Sequence, residues 1–119
     1  MQYQNSFRQL AIWQKAKELT LFIYKITKKF PAEEKFAMVS QMRRSAYSTL
    51  ANIAEGNAKN HLKDRLNFFN ISKGSLVELD CFSEIAKDLN YINQNEYNTL
   101  LEYINKTAFL LNKFINSQK

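Results

Sequence analysis

The side chains in this sequence that are best suited to chemistry are the cations in its middle third. Six basic residues occur between positions 43 and 73: Arg43, Arg44, Lys59, Lys63, Arg65 and Lys73. Lysine and arginine neutralise phosphates, and the intervening Asn67 and Asn70 can bond to sugar or phosphate without reading base sequence. The pattern predicts a nucleic-acid-binding surface for RNA or DNA with little sequence specificity. For the lysines, an ordinary solvated helix face is the alternative.

Arg43 and Arg44 are adjacent, so on a helix their side chains point about 100° apart. Both cannot face the core. One is expected to anchor its helix by pairing with a carboxylate, while the other faces outward.

Residues that would support catalysis or metal binding are sparse. The chain has a single histidine, His61, and no glycine-rich phosphate loop. A di-metal site in a helical bundle needs Glu-x-x-His pairs on two helices, which one histidine cannot supply. Cys81 is expected to be a small buried side chain. We therefore expect no catalytic residue, no metal site and no cofactor, and a protein that is not an enzyme.

Asp80, Glu84 and Asp88 stand four residues apart and form an acidic row along one side of a helix. Like charges at this spacing repel modestly. The simpler interpretation is a solvated acidic face. The alternative is that the row meets a basic surface on a neighbouring subunit, with candidate partners Lys15, Lys25 and Lys28.

A stripe of small polar residues in the middle of the chain predicts a contact between subunits. Its members follow one another at helical spacing: Gln41, Ser45, Ser48, Asn52 and Glu55. The same segment also carries an apolar stripe, so it has more non-solvated surface than the core of one bundle needs. We expect the polar stripe to line a contact between subunits; the alternative is a satisfied hydrogen-bond network inside one chain.

The elements that would position these residues are four amphipathic helices over residues 7–29, 33–56, 61–89 and 94–116. Apolar residues recur at alternating three- and four-residue spacing in the first and last of them. Two glycines and one proline in 119 residues are few for the turns that would connect β-strands. The prediction is an all-α, up-down-up-down four-helix bundle in a single domain, 1–119.

Local signals predict how the helices end. Gly56 is expected to close the second helix in the left-handed conformation. Asn60 and Asn93 are expected to cap the third and fourth, with Glu96 completing a capping box. Gly74 lies inside the third helix, where glycine costs about 1 kcal/mol relative to alanine. Close approach of a neighbouring helix would explain it.

The net charge of +6 is unevenly distributed, because residues 76–119 hold four basic and six acidic side chains. The first two-thirds of the chain is therefore cationic, which favours polyanionic partners. One cysteine allows no disulfide within the chain. The first residues lack a secretory signal pattern, and no apolar run approaches the roughly 18 residues of a membrane span. A cytoplasmic protein without membrane contact is expected.

The stretch Gln41–Gly56, QMRRSAYSTLANIAEG, carries a family resemblance. It resembles the QLRR…S…ANIAEG signature of the small four-helix-bundle proteins encoded by intervening sequences of bacterial large-subunit ribosomal RNA genes. A second match lies at Gly74–Leu79, and the resemblance covers nearly the whole chain. Leu50 stands where family members usually have proline, so the second helix is expected to be straighter here.

The resemblance implies a four-helix bundle that forms a homopentameric ring. It further implies a relation to the accessory variability determinant of diversity-generating retroelements, a basic bundle that binds nucleic acid and a reverse transcriptase. The first hypothesis is a non-enzymatic oligomer that binds RNA or DNA. The second is a structural or adaptor protein whose surfaces serve protein contacts only, and a metal-dependent enzyme is a distant third.

Overall fold

The computed structural model describes residues 6–119 as four long helices with two short 3₁₀ turns and no strand in that range. The helices are α1 (Ala11–Thr27), α2 (Met38–Ala58), α3 (Leu62–Asp88) and α4 (Gln94–Gln118). The 3₁₀ turns are Ser6–Gln9 and Ala32–Glu34. The all-α prediction is confirmed, and the helices are arranged as a four-helix bundle. The prediction that the first residues lack a secretory signal pattern concerns residues 1–5, which lie outside the described range.

Each helix packs against two neighbours: α1 and α3 both pack against α2 and α4, whereas within residues 6–119 no Cα atom of α1 lies within 8 Å of one of α3. α1 and α3 therefore occupy diagonal corners of the bundle. Alternate helices run in the same direction, because one core cluster joins the starts of α1 and α3 to the ends of α2 and α4. Its buried members are Ile12, Ala16, Ile53, Phe69, Leu111 and Ile115.

A second, larger cluster fills the rest of the bundle. Its fully enclosed residues include Leu19, Ile23, Met42, Leu79 and Leu100. These positions follow the three- and four-residue spacing seen in the sequence, so burial of one apolar stripe per helix is what holds the four helices together.

The ends of the first two helices differ from the predicted bounds. The first helix begins at Ala11 and ends at Thr27, whereas residues 7–29 were predicted. The predicted start at residue 33 falls in the 3₁₀ turn Ala32–Glu34, and α2 begins only at Met38. Ala37, with φ −120° and ψ −100°, interrupts the helical conformation between the turn and the helix.

Neither glycine has its predicted role. Gly56 lies inside α2, which continues to Ala58, and its φ is not positive. The left-handed residue that ends a helix is Asn90, with φ 61°, just after α3. Gly74 has no atom within 4 Å of the position a Cβ would take. The close approach occurs at Gly56 instead, where a Cβ would lie 2.5 Å from Cε1 of Phe69.

The start of α4 agrees with its sequence signal. The Asn93 side chain accepts a bond from the Glu96 N–H at 2.8 Å, and the Glu96 carboxylate accepts one from the Asn93 N–H at 2.9 Å. Partial burial disfavours the charged form of Glu96, but the hydrogen bond from Lys29 and the bond from the Asn93 backbone together lower its pKa. The capping box is confirmed. Asn60 does not cap α3, because His61 is the residue that precedes that helix and it makes no side-chain capping bond.

Replacing Asn93 with alanine is expected to lower the free energy of unfolding by about 1 kcal/mol, because the Glu96 N–H loses its partner at the helix start. Asn93→Ser, which keeps a capping oxygen, should restore most of the loss. Urea denaturation of the three proteins at one concentration measures the difference. An Asn93→Ala protein as stable as the unaltered one would contradict the assigned cap.

Candidate nucleic-acid interface

Arg43 is held within the bundle. Its Nε donates to Thr27 Oγ1 at 3.0 Å and its Nη2 to the Tyr24 carbonyl at 3.4 Å. The guanidinium also lies 4.6 Å from the centre of the Tyr24 ring. Arg43 thus joins α2 to α1 through a hydroxyl, a carbonyl and an aromatic ring, and not through the predicted carboxylate. Arg44 is the exposed member of the pair.

Arg65 is the second cation with an internal role. Its Nη1 donates to the carbonyls of Asn57 at 2.9 Å and Lys59 at 3.0 Å. Its Nε and Nη2 donate to Gln118 Oε1 at 3.0 and 2.6 Å. The planar guanidinium therefore fastens the α2–α3 connection to the last turn of α4, a geometry for which arginine is well suited. Arg65 is a positioning residue and not a free phosphate ligand.

The other predicted cations are exposed but do not form one surface. Lys59 and Lys63 lie beside the α2–α3 connection, with the Lys59 ammonium 5.3 Å from the centre of the Phe68 ring. Lys73 follows Lys63 by about 15 Å along α3. It lines a groove of about 210 Å³ between α3 and α4, together with Asp80. The structure therefore brings Lys59, Lys63 and Arg65 together and leaves Lys73 and Arg44 elsewhere.

The bundle gathers further cations at the end where α1 and α3 begin, which we call the basic end (residues 6–13, 55–66 and 112–119). It holds six basic side chains and two acidic ones, Glu55 and Asp64. The six are Arg8, Lys59, Lys63, Arg65, Lys113 and Lys119. At the opposite end, residues 25–38 and 85–98 hold five basic and four acidic side chains. The excess positive charge is thus concentrated at one end.

Arg8, Lys113 and Lys119 were missed from the sequence because they lie far from the other cations along the chain. The predicted up-down-up-down order already implied that the α1 start, the α2–α3 connection and the α4 end share one end of the bundle. Contacts across this end confirm the grouping: the Asn57 side chain donates to Ser6 Oγ at 3.3 Å, and Arg65 bonds to Gln118.

Most of the small polar stripe lies in the packing between α2 and α3. Ser45 is 1% exposed and donates to Glu78 at 2.6 Å, while Ser75 donates to Ser48 at 2.9 Å. Asn52 donates to the Ser48 carbonyl at 2.8 Å. Assignment of Ser45 to a subunit contact is therefore corrected, because its hydroxyl is used inside the chain, as the alternative interpretation expected. Two members of the stripe, Gln41 and Glu55, are exposed.

Residues 6–119 hold no group of three or more side chains able to bind a metal ion. His61 and Cys81 are both exposed, so the prediction of a buried cysteine is wrong: Cys81 lies on the outer side of α3. None of the four helices has the length and apolar character needed to cross a bilayer. The excess of cations at the basic end can attract anions electrostatically.

Comparisons with known proteins identify a family and a similar solved structure. The family model described as 23S rRNA-intervening sequence protein matches residues 8–113. A crystal structure of a protein with unknown function from the S23 ribosomal protein family of Bacteroides thetaiotaomicron is similar, with a TM-score of 0.81 and 26% sequence identity. The similarity covers 88% of this chain and 98% of that one. No curated protein matches.

Proposed function

We propose that this chain, which belongs to the 23S rRNA-intervening sequence protein family, binds nucleic acid without acting as an enzyme. Its four-helix bundle carries the excess positive charge at one end. The proposed ligand is RNA or DNA, held through phosphate contacts with little sequence specificity. One observation supports this most: at the basic end, six cationic side chains outnumber two acidic ones.

Lys63 and Lys113 are exposed, and neither has an ion pair or hydrogen bond to another side chain of residues 6–119. Cations that are not already neutralised can release counterions from a phosphate backbone when they bind it. Arg65 contributes differently, since it holds the carbonyl of Lys59 and so fixes the backbone that carries that lysine.

The proposal includes assembly into a homo-oligomer, with a pentamer as the expected order. Five chains of 14.0 kDa give a mass of about 70 kDa. A ring would present several basic ends to one polymer and raise avidity without any new contact type. A reverse transcriptase or another protein is a further proposed partner, and the cytoplasm, where RNA and DNA are found, is the proposed location.

Replacing Lys59, Lys63 and Lys113 with alanine is expected to weaken binding of both RNA and DNA. Each lost phosphate contact removes about 0.7 (single strands) to 0.9 (duplex DNA) from the slope of log K against log salt. The triple variant should therefore lower the slope by about 2–3. Fluorescence anisotropy titrations of labelled RNA and DNA at several salt concentrations measure this.

The matched control removes three lysines elsewhere: Lys35→Ala, Lys87→Ala and Lys106→Ala. It changes the net charge equally and should leave most of the affinity and slope in place. If both triple variants weaken binding to the same extent, net charge and not the basic end is responsible. If the unaltered protein binds neither polymer at low micromolar concentration in low salt, the proposal fails.

A second candidate function is a structural or adaptor role, favoured by large apolar side chains on the surface. Phe36 is 88% exposed and Phe109 is 59% exposed. Contact with another protein would remove these two side chains from water. This function becomes the preferred one if the titrations show no nucleic-acid binding.

A further inference from the structure

The outer face of α3 combines apolar and acidic side chains. Val77, Cys81 and Ile85, spaced by four residues, are all exposed, Val77 by 70%. They lie on the side of α3 opposite Leu76, Leu79 and Ala86, which are buried in the core. The acidic row of Asp80, Glu84 and Asp88 follows the same exposed side. An apolar strip edged by carboxylates is unusual for a surface that meets only water.

The outer face of α1 has the opposite charge. Leu21 is 60% exposed and lies on the side of α1 away from the buried Leu19 and Ile23. The next exposed cations along this face are Lys25 and Lys28. An apolar side chain edged by ammonium groups is thus the counterpart of the α3 face.

The two faces point to opposite sides of the molecule, because α1 and α3 occupy diagonal corners of the bundle. One chain cannot join them. Two copies can, and repetition of such a head-to-tail contact closes into a ring or continues as a filament.

The faces also match in height along the bundle. Ile12 and Phe69 share one core cluster, and Leu21 and Val77 each lie about 12–14 Å beyond it. Lys25 and Lys28 follow Leu21 by four and seven residues, just as Cys81 and Glu84 follow Val77. Because α1 and α3 run in the same direction, copies placed side by side at equal height bring the lysines to the acidic row.

We propose that the outer face of α3 binds the outer face of α1 of a second copy of this chain. The contact joins the apolar strip of residues 77–85 to Leu21 and pairs the acidic row with Lys25 and Lys28. The inference rests on the oligomer in the proposed function and assigns the surfaces that form it. The paired segments lie away from the basic end, so assembly leaves that end free for phosphates.

Charge reversal on each face tests the pairing. The first variant carries Asp80→Lys and Asp88→Lys; Glu84 is kept because it accepts a bond from the Tyr97 hydroxyl. The second variant carries Lys25→Glu and Lys28→Glu, and a third combines all four changes. The control carries Lys63→Glu and Lys113→Glu at the basic end, with the same charge change as the second variant.

Sedimentation or light scattering should give a multiple of 14.0 kDa for the unaltered protein. Each single-face variant should fall to 14.0 kDa, and the combined variant should return to the original mass because its charges are again complementary. The control should keep the original mass while losing affinity for nucleic acid, which separates this inference from the binding proposal.

A mass of 14.0 kDa for the unaltered protein overturns both the inference and the proposed oligomer. Single-face variants that keep the original mass overturn the assigned surfaces alone. A combined variant that stays at 14.0 kDa with its helical circular dichroism intact shows that the two faces do not meet each other. If circular dichroism shows the second variant unfolded, Leu21→Asp replaces it as the test, because this substitution alters an exposed residue. Leu21→Asp should also give a mass of 14.0 kDa, and an unchanged mass overturns the inference.

Discussion

Replacing Phe69 with alanine is expected to lower the free energy of unfolding by about 3–5 kcal/mol. Phe69 is 0% exposed, and its ring lies 5.0 Å from that of Phe114, nearly edge-on. Its other neighbours include Gly56, whose missing side chain makes room for it, and the Arg65 guanidinium, 5.6 Å from its centre. The substitution would leave a cavity between α2, α3 and α4 that a helical backbone cannot readily collapse to fill.

Denaturation in urea, with all proteins at the same concentration because assembly adds to apparent stability, gives the difference. Phe109→Ala is the control, since that ring is 59% exposed on α4. It should change the free energy of unfolding by no more than about 0.5 kcal/mol. Similar losses for the two substitutions would mean that Phe69 is not the centre of its cluster.

Replacing Gly56 with alanine is expected to destabilise the fold by about 1–3 kcal/mol, although alanine is the better helix former. The new Cβ would lie 2.5 and 2.8 Å from two atoms of the enclosed Phe69 ring and 3.1 Å from the Arg65 carbonyl. The ring is fully enclosed, so the clash is expected to push α2 and α3 apart. Gly74→Ala, where nothing lies within 4 Å, should instead stabilise by about 0.4–1 kcal/mol.

The two glycine substitutions are expected to change the free energy of unfolding in opposite directions, which makes their comparison informative. Helix propensity alone predicts a gain at both positions, so a stabilising Gly56→Ala would refute the close approach. A double-mutant cycle gives a second check. In a Phe69→Ala background the clash with the ring disappears and only the 3.1 Å approach to the Arg65 carbonyl remains. Gly56→Ala should then cost much less stability, which appears as a coupling energy between the two residues.

The sequence predicted the helices well because burial of one apolar stripe per helix is a strong and repeated signal. It failed where a single contact decided the outcome. Nothing in the residues around Gly56 and Gly74 shows which glycine faces a ring from another helix. The length of the gap between α1 and α2 was also underestimated, since Glu33 and Glu34 suit a 3₁₀ turn as well as the start of an α-helix.

The candidate site was predicted only in part, for a reason that applies to any bundle. The middle of the chain supplied Lys59, Lys63 and Arg65, whereas Arg8 and Lys113 reach the same end only through the topology. The small polar stripe has the same spacing whether it faces a second chain or α3. Only the presence of Glu78 and Ser75 opposite Ser45 and Ser48 distinguishes the two arrangements.

The way in which the basic end is built has a consequence for the order of folding. α2 and α3 are joined by residues 59–61 alone, so their packing closes a very short loop. The packing of α1 against α4, whose residues Ile12 and Leu111 belong to one core cluster, joins segments from opposite ends of the chain. Loop-closure entropy delays such contacts. A nascent chain can therefore form the α2–α3 hairpin before α4 has been synthesised. The full set of cations, which needs Arg8 and Lys113 beside that hairpin, exists only once the last helix has docked.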